Sequence, residues 1–354
     1  MSNDAAPVIS GDSLRAKLES DPVASAAPVS DHPETRKAEF SRLSAQIGLW
    51  RHELILLGAI AALFVIVGTI NPMFLSSANL TNIFASNAYI AIAAIGISMV
   101  IICGHIDVSV GAMIGVLGIV SGSLAVKGYS PWLCWLVPLI IGVLISAFIG
   151  VLVAYARIPS IVVTLGMLSI LKGGLITVTG GTWLSNLPTD FLIAQFRLFG
   201  IPSTVWLMLV LTVLATIWMR SSFLGRAFYA VGSNAEAASV IGIRTAPTIV
   251  MAFAIHGGFA GIAAVLLATQ LQVIQSTVPN GLELTIIAAS VVGGVSILGG
   301  RGVIAGSTLA AILFATITSS LTFLDVSAYW LRAVQGLLIL VVVLADITRR
   351  RQFR

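Results

Sequence analysis

A carboxylate and an imidazole interrupt an otherwise apolar sequence in the segment GHIDVSVGAMIGVLGIVSG, residues 104–122, where His105 and Asp107 follow a long uncharged run. At membrane depth such groups serve proton relays or ion sites, whereas at a helix start a carboxylate is a cap. Asp107 stands just before an apolar run from residue 108. There it can accept from the N–H of Ser109 or Val110 and complement the helix dipole. The spans counted below place it at the inner end of a helix, so a cap is expected. A relay needs a second carboxylate, and Glu53, Glu283, Asp325 and Asp346 all fall near span ends. Carriers coupled to protons or sodium hold acids at mid-membrane, so energy is expected to come from a partner.

Other chemistries find little support. The histidines at 32, 52, 105 and 256 lack ligand spacing, and Cys103 and Cys134 fall near opposite faces of the membrane, so neither a metal centre nor a disulfide is expected. No G-x-x-x-x-G-K-[ST] loop is present to hold ATP. The segment GGVSILGGRGVIAG, 293–306, follows an apolar helix rather than a strand, which argues against a dinucleotide site. Its glycines suit a tight turn or broken helix at the inner surface, anchored by Arg301.

The elements that must position these residues are membrane helices. Of 354 residues, 58% are hydrophobic and 9% charged, far below the quarter that soluble domains carry. Apolar runs give ten candidate spans, at about 53–70, 86–103, 108–126, 132–155, 161–178, 203–219, 246–270, 283–297, 302–321 and 328–346. The eighth is short and glycine-rich, and reads as broken or only partly crossing. With the N-terminus inside, most of the nineteen basic residues fall on inner segments, ending in RRRQFR. The chain therefore reads as an all-α polytopic membrane protein with both termini cytoplasmic. Residues 1–48 read as a disordered tail, 49–347 as the transmembrane domain with an inner loop at about 220–246, and 348–354 as a basic C-terminus. Residues 71–87 read as an outer-surface helix with Phe74, Leu80, Ile83 and Phe84 as its apolar stripe.

Gly111, Gly115, Gly118 and Gly122 are spaced for one helical face, which favours close packing or a face that slides during transport. In the inner loop RSSFLGRAFYAVGSNAEAASVIGIRTAP, Asn234 is placed to cap AEAASVIG, which Gly242 would end. Such a small-residue helix can plug a groove on another protein or be an ordinary polar loop. Polar positions within spans, Asn87, Ser98, Thr164 and Ser169, are candidate pathway residues.

Three segments together resemble the permease subunits of bacterial ABC importers of the ribose, xylose and galactose type. GHIDVSVG is similar to that family's G-G-I-D-L-S-V-G, with Gly104, Asp107, Ser109 and Gly111 matching and His105 in place of the second glycine. GRAFYAVGSNAEAASVIGI resembles its cytoplasmic loop, with Gly225, Arg226, Tyr229, Ala230, Gly232, Asn234, Glu236, Ala237, Ala238 and Gly242 matching. GGVSILGGRG resembles its last signature, through Gly293, Gly294, Ser296, Gly299, Gly300, Arg301 and Gly302. The resemblance implies a multi-pass inner-membrane permease with no catalytic residues, metal or cofactor of its own. Its implied partners are a second permease, identical or paralogous, a cytoplasmic ATP-binding cassette protein that uses ATP and Mg²⁺, and a periplasmic sugar-binding protein; none is a nucleic acid. An ion-coupled secondary transporter of a small polar solute is the alternative.

Overall fold

The computed structural model describes residues 33–191, 196–270, 273–275, 281–327 and scattered positions between 329 and 344, with side chains from His52 onward. The expected tenth span, 328–346, and the C-terminus fall largely outside the described residues, as do residues 1–32 of the expected tail. The first helix, α1 (Pro33–Ile70), begins well before residue 48. The stretch after Pro33 is rich in Ala, Glu, Lys, Arg and Leu, good helix formers behind a proline tolerated at a first position.

After a 3₁₀ turn, Pro72–Leu75, come α2 (Ser77–Ala85), α3 (Ala88–Ile102), α4 (Val110–Val126), α5 (Pro131–Ala154) and α6 (Ser160–Thr179). A small antiparallel hairpin, β1 (Arg197–Leu198) and β2 (Ile201–Pro202), pairs Leu198 with Ile201. Then follow α7 (Ser203–Ser221), α8 (Phe223–Ser233), α9 (Ala235–Val240), α10 (Thr245–Gln270), α11 (Leu282–Val292) and α12 (Ile304–Phe323). Among the described residues, seven helical segments are long and apolar enough to cross a membrane, α2 and α3 together forming one, while α4 and α11 are shorter. The molecule is an all-α polytopic membrane protein.

Helix α3 is the axis of the bundle: every residue from Ala91 to Cys103 is buried. It packs on α10, α12, α11 and α7. The most extensive pairing joins α10 to α5. There Gly142 and Gly257 meet backbone to backbone, and a Cβ at Gly261 would lie 2.7 Å from the Cα of Leu139. Lipid tails are as apolar as leucine, so helices gain little from hiding hydrophobic area and rely on such close contact. The expected surface helix is corrected: Phe74 and Ile83 are buried among Val67, Ala315 and their neighbours, because the 3₁₀ turn folds the stripe inward against α1 and α12.

Candidate functional site

The three glycine-rich segments, far apart in sequence, converge at one end of the bundle. Helix α3 ends in a Schellman motif, in which the N–H of His105 reaches Val100 O and that of Gly104 reaches Ile101 O. Gly104 takes φ +91°, a conformation open to glycine and strained for other residues. His105, which departs from the family signature, has no positive φ, so the substitution leaves the turn intact; its ring lies 6.1 Å from that of Phe253.

Gly232, near the end of α8, sits directly on this turn. Any Cβ there would collide with Ile102 O and lie 2.8 Å from Gly300 N. A Cβ at Gly299 would be 2.8 Å from both Gly104 Cα and Gly232 O. Hydrogen bonds fix the contact: Gly300 N–H donates to Ile102 O at 2.8 Å, Tyr229 OH to Gly302 O at 2.9 Å, and Ser233 Oγ to Gly300 O at 3.4 Å. Burial raises the Tyr229 phenol above its ordinary range, against a smaller opposing pull from Arg220, which keeps it a proton donor. Ser296 N–H closes the 293–303 loop by donating to Arg301 O at 3.0 Å, and Arg301 is exposed. On the same loop, Gly293 packs on the backbone of Gly306 and Ser307, while His52 Nε2 lies 2.7 Å from Val292 O.

Helix α8 is amphipathic and buries Gly225, Ala227, Phe228 and Val231, with Gly225 pressed on the backbone of Met219. Arg226 is exposed and donates to Ser221 O, and Ala230 is half-buried. Asn234 caps α9 by accepting from Ala237 N–H at 2.9 Å, as its position predicts, and Gly242 ends it. Ala238 faces inward. Glu236, Ala237, Val240 and Ile241 are exposed, the last two at 86% and 74%. A short helix with bare apolar ends is thus mounted on a junction leading straight to the central helix.

A second polar region lies deeper. Asp107 is fully buried, and its Oδ1 accepts from the N–H of Ser109 at 2.7 Å and from Ser109 Oγ at 2.5 Å. Its Oδ2 lies 3.3 Å from His256 Nε2, also fully buried. Its place just before α4 and its bond from Ser109 N–H are as the sequence predicts. His256 is in the middle of α10, and residues 105–109 climb from the Gly104 turn into the bundle before α4 begins. The carboxylate does cap backbone there, but it also faces an imidazole that sequence spacing concealed.

Glu283 heads a helix too short to cross a membrane. Helix α11 has 11 residues, about 16 Å of rise, and its far end turns at Gly294 against His52. A hydrocarbon core is about 30 Å thick, so with the Gly294 end at one surface Glu283 would lie near half depth. Its Oε1 is 3.9 Å from Lys172 Nζ, and its Oε2 is 2.7 Å from where a Cβ of Gly111 would be. Glu283 is thus at a helix end, as its sequence position indicates, but the helix is too short to cross, so that end need not be a membrane surface.

The four candidate pathway residues are not brought together. Ser98 is buried and bonded to Ser290 Oγ at 2.8 Å and Ser307 Oγ at 2.7 Å, joining α3, α11 and α12. Thr164 is buried, Asn87 half-buried at the start of α3, and Ser169 exposed on α6.

Comparison with known proteins gives one family. Residues 79–343 match the family described as branched-chain amino acid transport system / permease component. Autoinducer 2 import system permease protein LsrC of Salmonella typhi is 38% identical over 289 residues, 81% of this chain and 83% of that protein. The protein of that name from Escherichia coli O9:H4 (strain HS) is 36% identical over 295 residues, 83% of this chain and 86% of the relative. No solved structure matches the chain. With the motif geometry and the apolar helices, these matches show that the chain belongs to the family of multi-pass inner-membrane permease subunits of binding-protein-dependent ABC importers.

Proposed function

We propose that this permease carries a monosaccharide or a related furanosyl solute inward, driven by a separate ATP-binding cassette protein that uses ATP and Mg²⁺. The solute arrives on a periplasmic binding protein and passes a pathway formed with a second permease, identical or paralogous. In this reading the chain crosses the membrane ten times with both termini in the cytoplasm. The excess of Lys and Arg on the corresponding loops supports that orientation.

The observation that carries the proposal is the convergence of three glycine segments beneath α9. Exposed Val240 and Ile241 suit an apolar groove on the cassette protein, with Glu236 at its rim. A push on α9 is passed by backbone contact through Gly232 to Ile102 and Gly300, hence to α3 and α12. Such contacts have no side chain to yield, so the junction moves as a body. Ser169, on an uncovered face, remains the pathway candidate among the four polar positions.

The test is uptake into vesicles holding the permease, the cassette protein and the binding protein, with autoinducer 2 and D-ribose as solutes. Uptake should require ATP and the cassette protein and survive collapse of the proton gradient. Uptake that persists without the cassette protein, or stops with the gradient while ATP is held constant, contradicts the proposal.

A further inference from the structure

Lys172 and Glu283 form a polar pair that the coupling junction does not use. Lys172 lies within α6, an otherwise uncharged helix, and Glu283 in the first turn of α11. Charged side chains at this depth are retained where they pair with each other or line a watery path. The pairing is incomplete. At 3.9 Å the ammonium and Oε1 are too far apart for a hydrogen bond, and buried Oε2 finds no hydrogen-bond partner among the described residues. Gly111 is bare beside that oxygen, and a side chain there would displace the carboxylate. Gly111 is also in the first turn of α4, whose leading N–H groups have no partner within the helix.

The pair is reachable. The Lys172 side chain is 31% exposed, and it borders the uncovered face of α6 that carries Ser169 and Gly173. Its net charge is zero, so it attracts neither anions nor cations strongly, yet it offers a donor and an acceptor side by side. A hydroxyl oxygen about 2.8 Å from both Nζ and Oε1 fits the 3.9 Å gap without moving either group, accepting from the ammonium and donating to the carboxylate. A second hydroxyl can donate to Oε2.

We infer that Lys172 and Glu283, beside the bare backbone at Gly111, form a mid-membrane way-station that binds hydroxyl groups of a neutral polyhydroxylated solute. The inference rests on the importer reading above and adds the residues that touch the cargo. A site that carries solute onward must hold it weakly, and two or three hydrogen bonds made in exchange for water meet that requirement.

The experiment uses the full complex in vesicles with autoinducer 2, D-ribose and L-leucine as probes, comparing wild type with Glu283→Gln, Lys172→Gln and the exchanged pair Lys172→Glu/Glu283→Lys. Each variant's co-purification with the cassette protein reports folding. Uptake of the hydroxylated probes should fall at least tenfold in both single variants. It should stay low in the exchanged pair, because the donor and acceptor are then reversed relative to α4. Recovery in the exchanged pair marks a structural ion pair and overturns the inference, as does uptake within twofold of wild type in both single variants. If Glu283→Gln fails to assemble, part-exposed Lys172 decides through Lys172→Gln alone. L-leucine uptake with the same dependence on both residues overturns the assignment to hydroxyl groups. A wild-type complex that carries none of the probes counts against the importer reading instead, so the two failures are distinct.

Discussion

The glycine junction and the mid-membrane polar region solve opposite problems. At the junction, Gly104, Gly232, Gly299 and Gly300 bring backbone onto backbone, and position is set by shape and main-chain hydrogen bonds. Within the helix bundle, Asp107 with His256 and Glu283 with Lys172 set position by pairing polar side chains among apolar neighbours. In the proposed reading the first arrangement transmits displacement, because nothing in it can rotate away. The second is open to any solute that offers hydrogen bonds. An importer needs both, a stiff link to its motor and a polar interior that exchanges partners.

The sharpest way to break the comparison is Gly232→Leu. The side chain has no volume to enter between Ile102 and Gly300, and overpacking of this kind costs about 1–3 kcal/mol or more. ATP-driven uptake should fall at least a hundredfold, with lower yield of folded protein by size-exclusion chromatography. Next comes Asp107→Leu, which leaves the Ser109 N–H without its acceptor and the buried His256 ring facing an apolar group. An unsatisfied buried polar group costs about 1–3 kcal/mol, read as a fall in melting temperature of the detergent-solubilised permease. Asp107→Asn keeps an acceptor for Ser109 N–H and should lose less than half as much. An equal loss in the two variants would assign the whole effect to charge.

Smaller effects return to the junction. Tyr229→Phe removes the bond to Gly302 O, about 1 kcal/mol, and should lower uptake severalfold while leaving affinity for the cassette protein unchanged. Asn234→Ala removes the cap of α9, also about 1 kcal/mol, but should instead weaken binding of the cassette protein, measured by titration in detergent. Separation of these two readouts distinguishes transmission from docking.

Much of the junction was legible in the sequence because its signals are local. Asn234 before AEAASV, glycine after it, and the short glycine-rich eighth span each follow from adjacent residues. The mid-membrane pairs were not legible, since Asp107 and His256 meet only after α10 folds against the 105–109 segment. Nor does an apolar run reveal where along the membrane normal it begins. Glu283 heads a short helix in either case, and only its packing at Gly111 and the turn at Gly294 fix its depth. The same limit misplaced the stripe at Phe74 and Ile83, whose partners on α1 and α12 are distant in sequence.

The central claim is that the glycine junction transmits force and does not itself bind the motor. Gly232→Ala tests it most directly, because one methyl group blocks the contact with Ile102 O while the exposed face of α9 is untouched. The account predicts that the cassette protein co-purifies in wild-type proportion while ATP-driven uptake of autoinducer 2 falls at least tenfold. Uptake within twofold of wild type, or loss of the cassette protein in step with uptake, would contradict it.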